Sequence, residues 1–328
     1  MKLAELFGPS GNQLNKKQKK MFRVNCSMFF KGKKKPIKIG IGIVIVLAVI
    51  GTVGALNGYF GGGGHIPQDT FTRGLVGYWN FDEGTGSIAH DISGHENHGQ
   101  ICGLPFIDSR DGKTYATVHI GTQCWMAENL NIGTRIDGAN QQDNDSVIQK
   151  YCYDNLDARC DTDGGLYQWA QALDLPYTCN STSTCTINDP HQGICPDGWH
   201  IPSDQDWYDL TDYLSANSQY WCGGNSTQIA KSLATTDDVE PNWTNSATAC
   251  HVGNDRSTNN LTGFSVLPAG GRRAGGSFYD RSSLSGLWSA SQGTATSAWR
   301  RRLTYGNATV YRGSGDKAYG FSVRCLRE

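Results

Sequence analysis

None of the chain's eleven cysteines stand in a Cys-x-x-Cys pair, so the ligand spacing of zinc ribbons and the redox motif of thioredoxin-like proteins are both missing. No Gly-x-Ser-x-Gly elbow or phosphate-binding P-loop occurs either. The nearest stretch, "GSGDKA" at residues 313–318, lacks the Gly-Lys-Ser/Thr that holds a phosphate. Charge is scarce, at 18% of residues, while glycine is abundant at 41, beside nine Trp and fourteen Tyr. Such a composition fits a strand- and loop-rich extracellular fold better than a helical enzyme, and 328 residues leave room for a sizeable core.

The near-neutral net charge of -1 conceals two unlike parts. Residues 1–38 carry eleven Lys/Arg and one acid, Glu5, whereas the remainder carries 18 bases and 29 acids, a net of -11. Between them "IGIGIVIVLAVIGTVGAL", residues 39–56, runs without a charge. As a helix it spans ~27 Å, close to the hydrocarbon thickness of a bilayer. Lysines crowd its N-terminal side and no base follows until Arg73. The positive-inside rule then predicts a cytoplasmic tail (1–38), a single transmembrane helix (39–56) and an extracytoplasmic remainder, placing the protein at the cell membrane. A cleaved signal peptide ending near Val53-Gly54-Ala55 is the alternative, against which stands the length of the polar leader. Ten cysteines, an even number, fall on the outer side, as a disulfide framework requires. Spacing leaves their pairing open, although Cys152 with Cys160 and Cys179 with Cys185 are close enough for local loops.

Residues 57–73 read as a glycine-rich tether. Next, "GLVGYWNFDEGTGSIAHDISGHENHGQI" alternates as a strand before glycine-rich turns. It resembles the opening strands of a laminin-G, concanavalin-A-like jelly-roll, which assigns residues 74–105 to a fragment of such a domain. His90, His95 and His98 there read as turn residues rather than a metal cluster. Further on, "GKTYATVHIGTQCWMAENLN" reads as a strand, a tight turn and a buried aromatic. In "GGLYQWAQALDL" Leu166, Trp169, Ala170 and Leu173 share one helical face. In "CPDGWHIPSDQDWYDLTDYL" Ser203 caps a helix with Asp206 three positions on, and Trp207, Leu210 and Leu214 form its apolar stripe. "STQIAKSLAT" is a third short helix, with Ile229 and Leu233.

The stretches "YATVHIGTQCWMAENL", "GGLYQWAQA", "CPDGWHIPSDQDW", "TGFSVLPAGGRRAGGSF", "LWSAS" and "GFSVRC" resemble, in this order, the Fibrobacter succinogenes major paralogous domain family, over residues 106–328. The resemblance implies an α+β, C-type-lectin-like mixed domain with long loops and disulfides, related to formylglycine-generating enzymes. It further implies a bridge from a helix-proximal cysteine to one near the C-terminus, here Cys195 and Cys325. Formylglycine chemistry needs a late cysteine pair, and with Cys325 given to structure that chemistry is not expected. His200, in "GWHIP", reads as a packing residue, and the paired acids as helix-start or turn residues. No catalytic residue, metal or cofactor is expected. Arg300, Arg301 and Arg302 are a basic run on an acidic, extracytoplasmic segment, which argues against nucleic acid as partner.

That run opens the least regular part of the chain, "AWRRRLTYGNATVYRGSGDKAYGFSVRC" (298–325). Period two sends Trp299, Arg301, Leu303 and Tyr305 one way and Arg300, Arg302, Thr304 and Gly306 the other. The first set resembles the fixed residues of the family, and so do Val310, Arg312, Lys317, Gly320 and Phe321. Tyr279, Asp280, Asn307, Tyr311, Gly313, Ser314, Gly315, Asp316 and Tyr319 are expected to be exposed. All of these irregular residues are encodable by pyrimidine-ending codons, the set that adenine mutation of AAC or AAT produces in targets of diversity-generating retroelements. The expected binding residues are Tyr279, Asp280, Arg300, Arg302, Thr304, Asn307, Tyr311, Ser314, Asp316 and Tyr319, presented to an extracellular protein or glycan. A structural envelope or adhesion component with a fixed, incidental surface is the alternative, and a divergent enzyme a more distant one.

Overall fold

A computed structural model describes residues 88–89, 91, 99–236 and 239–327. The expected basic tail, the transmembrane helix 39–56, the tether and His90, His95 and His98 lie outside the described residues, as does most of the jelly-roll fragment. Among the described residues no helix is long and apolar enough to cross a membrane. The chain divides into two compact units after Gln100. In the first, β1 (Ile88–Ala89) pairs antiparallel with β2 (Gly99–Gln100). The second unit begins at Ile101, and Cys102 within it is bonded forward to Cys124.

In the second unit strands outnumber helices. After β3 (Phe106–Ile107) and β4 (Thr114–Tyr115), β5 (Thr117–Ile120) turns at Gly121 into β6 (Gln123–Met126). Gly121 adopts φ +66° there, a conformation L side chains rarely take, so the tight hairpin needs glycine. Trp125 on β6 is wholly buried, its ring tilted against Trp207 with centroids 4.7 Å apart. A short parallel pair, β7 (Thr134–Arg135) with β8 (Gln149–Lys150), leads to α1 (Asp157–Asp163). The helix expected around Trp169 is only one turn, α2 (Trp169–Ala172), and Leu166 instead bridges Tyr151, yet all four named residues are buried.

The principal helix, α3 (Asp204–Ala216), begins at a reciprocal capping box between Ser203 and Asp206 and buries Trp207, Leu210 and Leu214. After α4 (Ala230–Leu233) come β9 (Gly271–Arg272) and β10 (Phe278–Tyr279), then the main sheet of β11 (Leu284–Gln292), β12 (Ser297–Thr304) and β13 (Tyr311–Asp316). Its order is β11-β12-β13, all antiparallel. The chain then returns along the free edge of β11, where Ser322 pairs in parallel with Leu287, and ends as β14 (Leu326–Arg327) against β6.

Five disulfides tie this body together: Cys102–Cys124, Cys152–Cys160, Cys179–Cys185, Cys195–Cys325 and Cys222–Cys250. The bridge from Cys195 to Cys325 is the one the resemblance implied. It clamps the C-terminal segment that carries Phe321 and Val323 into the core.

Candidate functional site

Register decides which side chains share a face of the main sheet. Arg300 is paired with Trp288 and Gly313, Arg302 with Gly286 and Tyr311, and Ala298 with Gly315. Paired residues project to the same side of a pleated sheet, so Arg300, Arg302, Thr304 and Tyr311 share one face with Gly313 and Gly315. The other face carries Trp299, Arg301, Leu303, Arg312, Ser314 and Asp316.

This second face is the structural one. Leu287 and Leu303 pack with Trp207, Leu210 and Leu214 of α3 in one core cluster. Arg301, 2% exposed, donates from Nη1 to Asp204 Oδ1 at 2.6 Å, and Arg312 Nη2 donates to Asp204 Oδ2 at 2.8 Å. One carboxylate at the start of α3 thus joins both strands to the helix. Burial by itself raises the Asp204 pKa, but hydrogen bonds from Arg312 and Arg301 outweigh it and hold the carboxyl below its ordinary value. Trp299 is only half-buried, with the Arg312 guanidinium 3.4 Å above its ring, and Tyr305 is 37% exposed at the strand end.

On the first face, glycines make room for large side chains to lie flat. A Cβ at Gly286 would stand 2.5 Å from Phe321 Cδ1, one at Gly315 2.9 Å from Arg300 Nε, and one at Gly313 2.3 Å from Tyr311 Cε1. Gly313 and Gly315 are consequently buried, which corrects the expectation that both are exposed. Arg300 spreads over the Phe321 ring at 4.3 Å, Arg302 over Tyr311 at 4.6 Å, and Arg273 over Tyr279 at 4.1 Å. Tyr319 links the set, 6.4 Å from Tyr279 and 6.1 Å from Phe321. The result is a continuous layer of guanidinium and aromatic planes on a sheet braced from behind.

Tyr279 and Tyr319, expected to be exposed, are half-buried because they pack within this layer, as are Arg300, Arg302 and Thr304. Burial lowers the Arg300 pKa from its ordinary value, an effect that the neighbouring Tyr279 opposes. Tyr311, at 53%, is the most exposed aromatic of the layer. Asp280, at φ +58°, sits exposed at the turn after β10, and its backbone carbonyl accepts from Ser283 and Leu284. Asn307, exposed in the turn after β12, donates to the Thr304 hydroxyl at 3.0 Å. Ser314 and Asp316 are exposed as expected, but on the opposite face of the sheet. The expected site thus divides: Tyr279, Arg300, Arg302, Thr304, Tyr311 and Tyr319 come together, with Asp280 and Asn307 at the margins, and Ser314 and Asp316 do not join them. Arg273 was missed; its signal was the "GGRRAGG" loop, six residues before Tyr279.

Two concave sites lie elsewhere. The larger, about 710 Å³, is lined by Lys113, Glu128, Asn131, Asp161 and Asp163 among others. One of its acids, Asp163, is engaged by Arg281 at 2.6 Å. A smaller one, about 220 Å³, lies beside His191 and His200. Among the described residues no group of three His, Cys, Asp or Glu is placed to hold a metal ion, and all ten cysteines are bridged.

A disulfide-stapled, mixed domain with one flat, arginine-rich face is the class these observations define. Residues 118–327 match the model of the Fibrobacter succinogenes major domain, and the chain belongs to that family. Neither the curated proteins nor the solved structures compared with it gave a match.

Proposed function

We propose that the chain is an extracytoplasmic binding protein, held at the cell surface, that presents the Arg300–Arg302–Tyr311 face to a ligand outside the cell. Five disulfides in the second unit support an oxidising, extracytoplasmic setting. The observation that carries the reading is the asymmetry of the main sheet. On one face every large side chain has a structural partner, while the other displays guanidinium and tyrosine groups on a rigid support. Arg and Tyr of this kind supply contact area and hydrogen bonds at low entropic cost.

The exposed side chains of Asn307 and Tyr311 can change identity at less cost to the fold than the buried Gly313 and Gly315. Retroelement-driven diversification would act on that first group. A nearby adenine-marked copy of the coding region, accompanied by a reverse transcriptase, is its genetic test.

The binding reading is tested by presenting full-length wild-type protein and the Arg302→Ala/Tyr311→Ala variant to an array of polysaccharides and extracellular proteins. Loss of retention in the variant, at an unchanged melting temperature, supports the assigned face. Equal retention of both proteins overturns it.

A further inference from the structure

We infer that the ligand of this face is an acidic polysaccharide, whose sugar carboxylates are received by Arg300, Arg302 and Arg273. The inference rests on the binding reading and names the chemistry of its partner.

It starts from charge that the fold leaves uncompensated. Arg110, Arg135, Arg281, Arg301 and Arg312 each pair with an aspartate. Among the described residues no carboxylate lies within ion-pair distance of Arg273, Arg300 or Arg302. Hydrogen bonding shows the same deficit. Seven buried side-chain nitrogen or oxygen atoms among the described residues lack a partner, and three of them are Arg300 Nε, Arg300 Nη1 and Arg302 Nε. A buried donor without an acceptor costs free energy, and more so on a charged group. Three cations are therefore gathered on one face and held against aromatic rings, Arg300 and Arg302 half-buried and Arg273 exposed, with no carboxylate among the described residues to pair with them. An incoming oxyanion offsets the unpaired charge at the guanidinium nitrogens that reach the surface, not at those three buried atoms. Planar guanidinium matches carboxylate geometry through two parallel hydrogen bonds.

The rest of the patch points to sugar. Besides the arginines it offers tyrosine rings and hydroxyls, the Thr304 hydroxyl and the Asn307 amide. No aliphatic side chain is among them to anchor a peptide. Hydroxyl and amide groups match the hydroxyls of a sugar ring, and the tyrosine planes match its C–H faces. The surroundings set the range of the attraction. Residues 39–328 carry a net charge of -11, so a polyanion is repelled at a distance and gains only on contact, through several arginines at once.

The experiment measures retention of the full-length protein, at physiological salt, on immobilised polygalacturonate, its methyl ester, dextran sulfate and poly-L-glutamate. Polygalacturonate is expected to bind, and its ester, identical but for the charge, to lose at least tenfold. Arg302→Ala and Arg300→Ala should each weaken retention about tenfold, Arg302→Lys less, and Arg135→Ala on another surface not at all. If Arg300→Ala proves unstable, Gly315→Ala, whose new methyl group displaces Arg300, replaces it. Preference for poly-L-glutamate makes the ligand an acidic peptide, preference for dextran sulfate makes it a sulfate ester, and equal binding of the methyl ester removes the anion; each overturns the inference. Should the array instead show face-dependent binding to a neutral glycan, the binding reading stands and this inference alone falls.

Discussion

Replacing Cys195 and Cys325 together by alanine removes the longest covalent tie in the protein. The two cysteines are 130 residues apart, and the Cys222–Cys250 bridge inside that span short-circuits 28 of them. The loop set free in the unfolded chain is therefore about 100 residues long, for which chain entropy assigns the bridge roughly 5 kcal/mol. The same relation assigns roughly 2 kcal/mol to Cys179–Cys185, whose cysteines are six apart. Alanine is the replacement of choice because Cys195 and Cys325 are wholly buried, and a serine hydroxyl there would add a desolvation cost of its own. Equilibrium guanidinium unfolding under non-reducing conditions reads the difference. The Cys195/Cys325 variant should lose more than twice the stability that the Cys179/Cys185 variant loses. It should also loosen the segment that carries Phe321, the ring beneath Arg300. Equal losses in the two variants would refute the chain-entropy reasoning.

Asp204→Asn should cost about 3 kcal/mol in the same assay, since it leaves the buried Arg301 guanidinium without its counter-charge. Its pH dependence has a definite sign. The folded Asp204 pKa lies below its ordinary value, so its contribution is complete above about pH 4 and is lost as the pH falls through the folded value. Wild type should lose stability faster than Asp204→Asn in that acidic window, and parallel curves would contradict the assignment. Gly286→Ala places a methyl group against the immobile Phe321 ring and should cost about 2 kcal/mol by denaturation. Gly315→Ala meets the more adaptable Arg300 side chain and should spare stability to within about 1 kcal/mol while weakening retention on the array.

Local signals in the sequence were faithful guides. The capping box of Ser203 and Asp206 and the stripe of Trp207, Leu210 and Leu214 depend only on residues a few positions apart, and α3 forms as they predict. The Gly121 turn and the buried Trp125 follow from the same kind of short-range pattern. Features that join distant parts of the chain were not legible. Asp204 meets Arg301 across 97 positions and Arg312 across 108, so the sequence set Arg301 apart from its neighbours without showing which acid it binds. Spacing likewise left open the pairing of Cys102 with Cys124 and of Cys222 with Cys250.

The candidate face shows the same division. Alternation separated Arg300 and Arg302 from Arg301 correctly, because one strand carries all three. It was not carried on from Tyr311, where period two puts Gly313 and Gly315 beside the arginines and sends Ser314 and Asp316 behind. The glycines looked like free surface positions because their role lies in what rests over them, Arg300 and Tyr311, and that needs the third dimension.

Amide hydrogen exchange tests the central claim most directly, measured on the full-length protein alone and with the array component that retains it best. Bound ligand should slow exchange in residues 298–304 and 311–316 and around Tyr279, the strands and turn that carry the arginine and tyrosine layer. Protection confined to the cleft lined by Lys113, Glu128 and Asn131, with the main sheet unchanged, would contradict it.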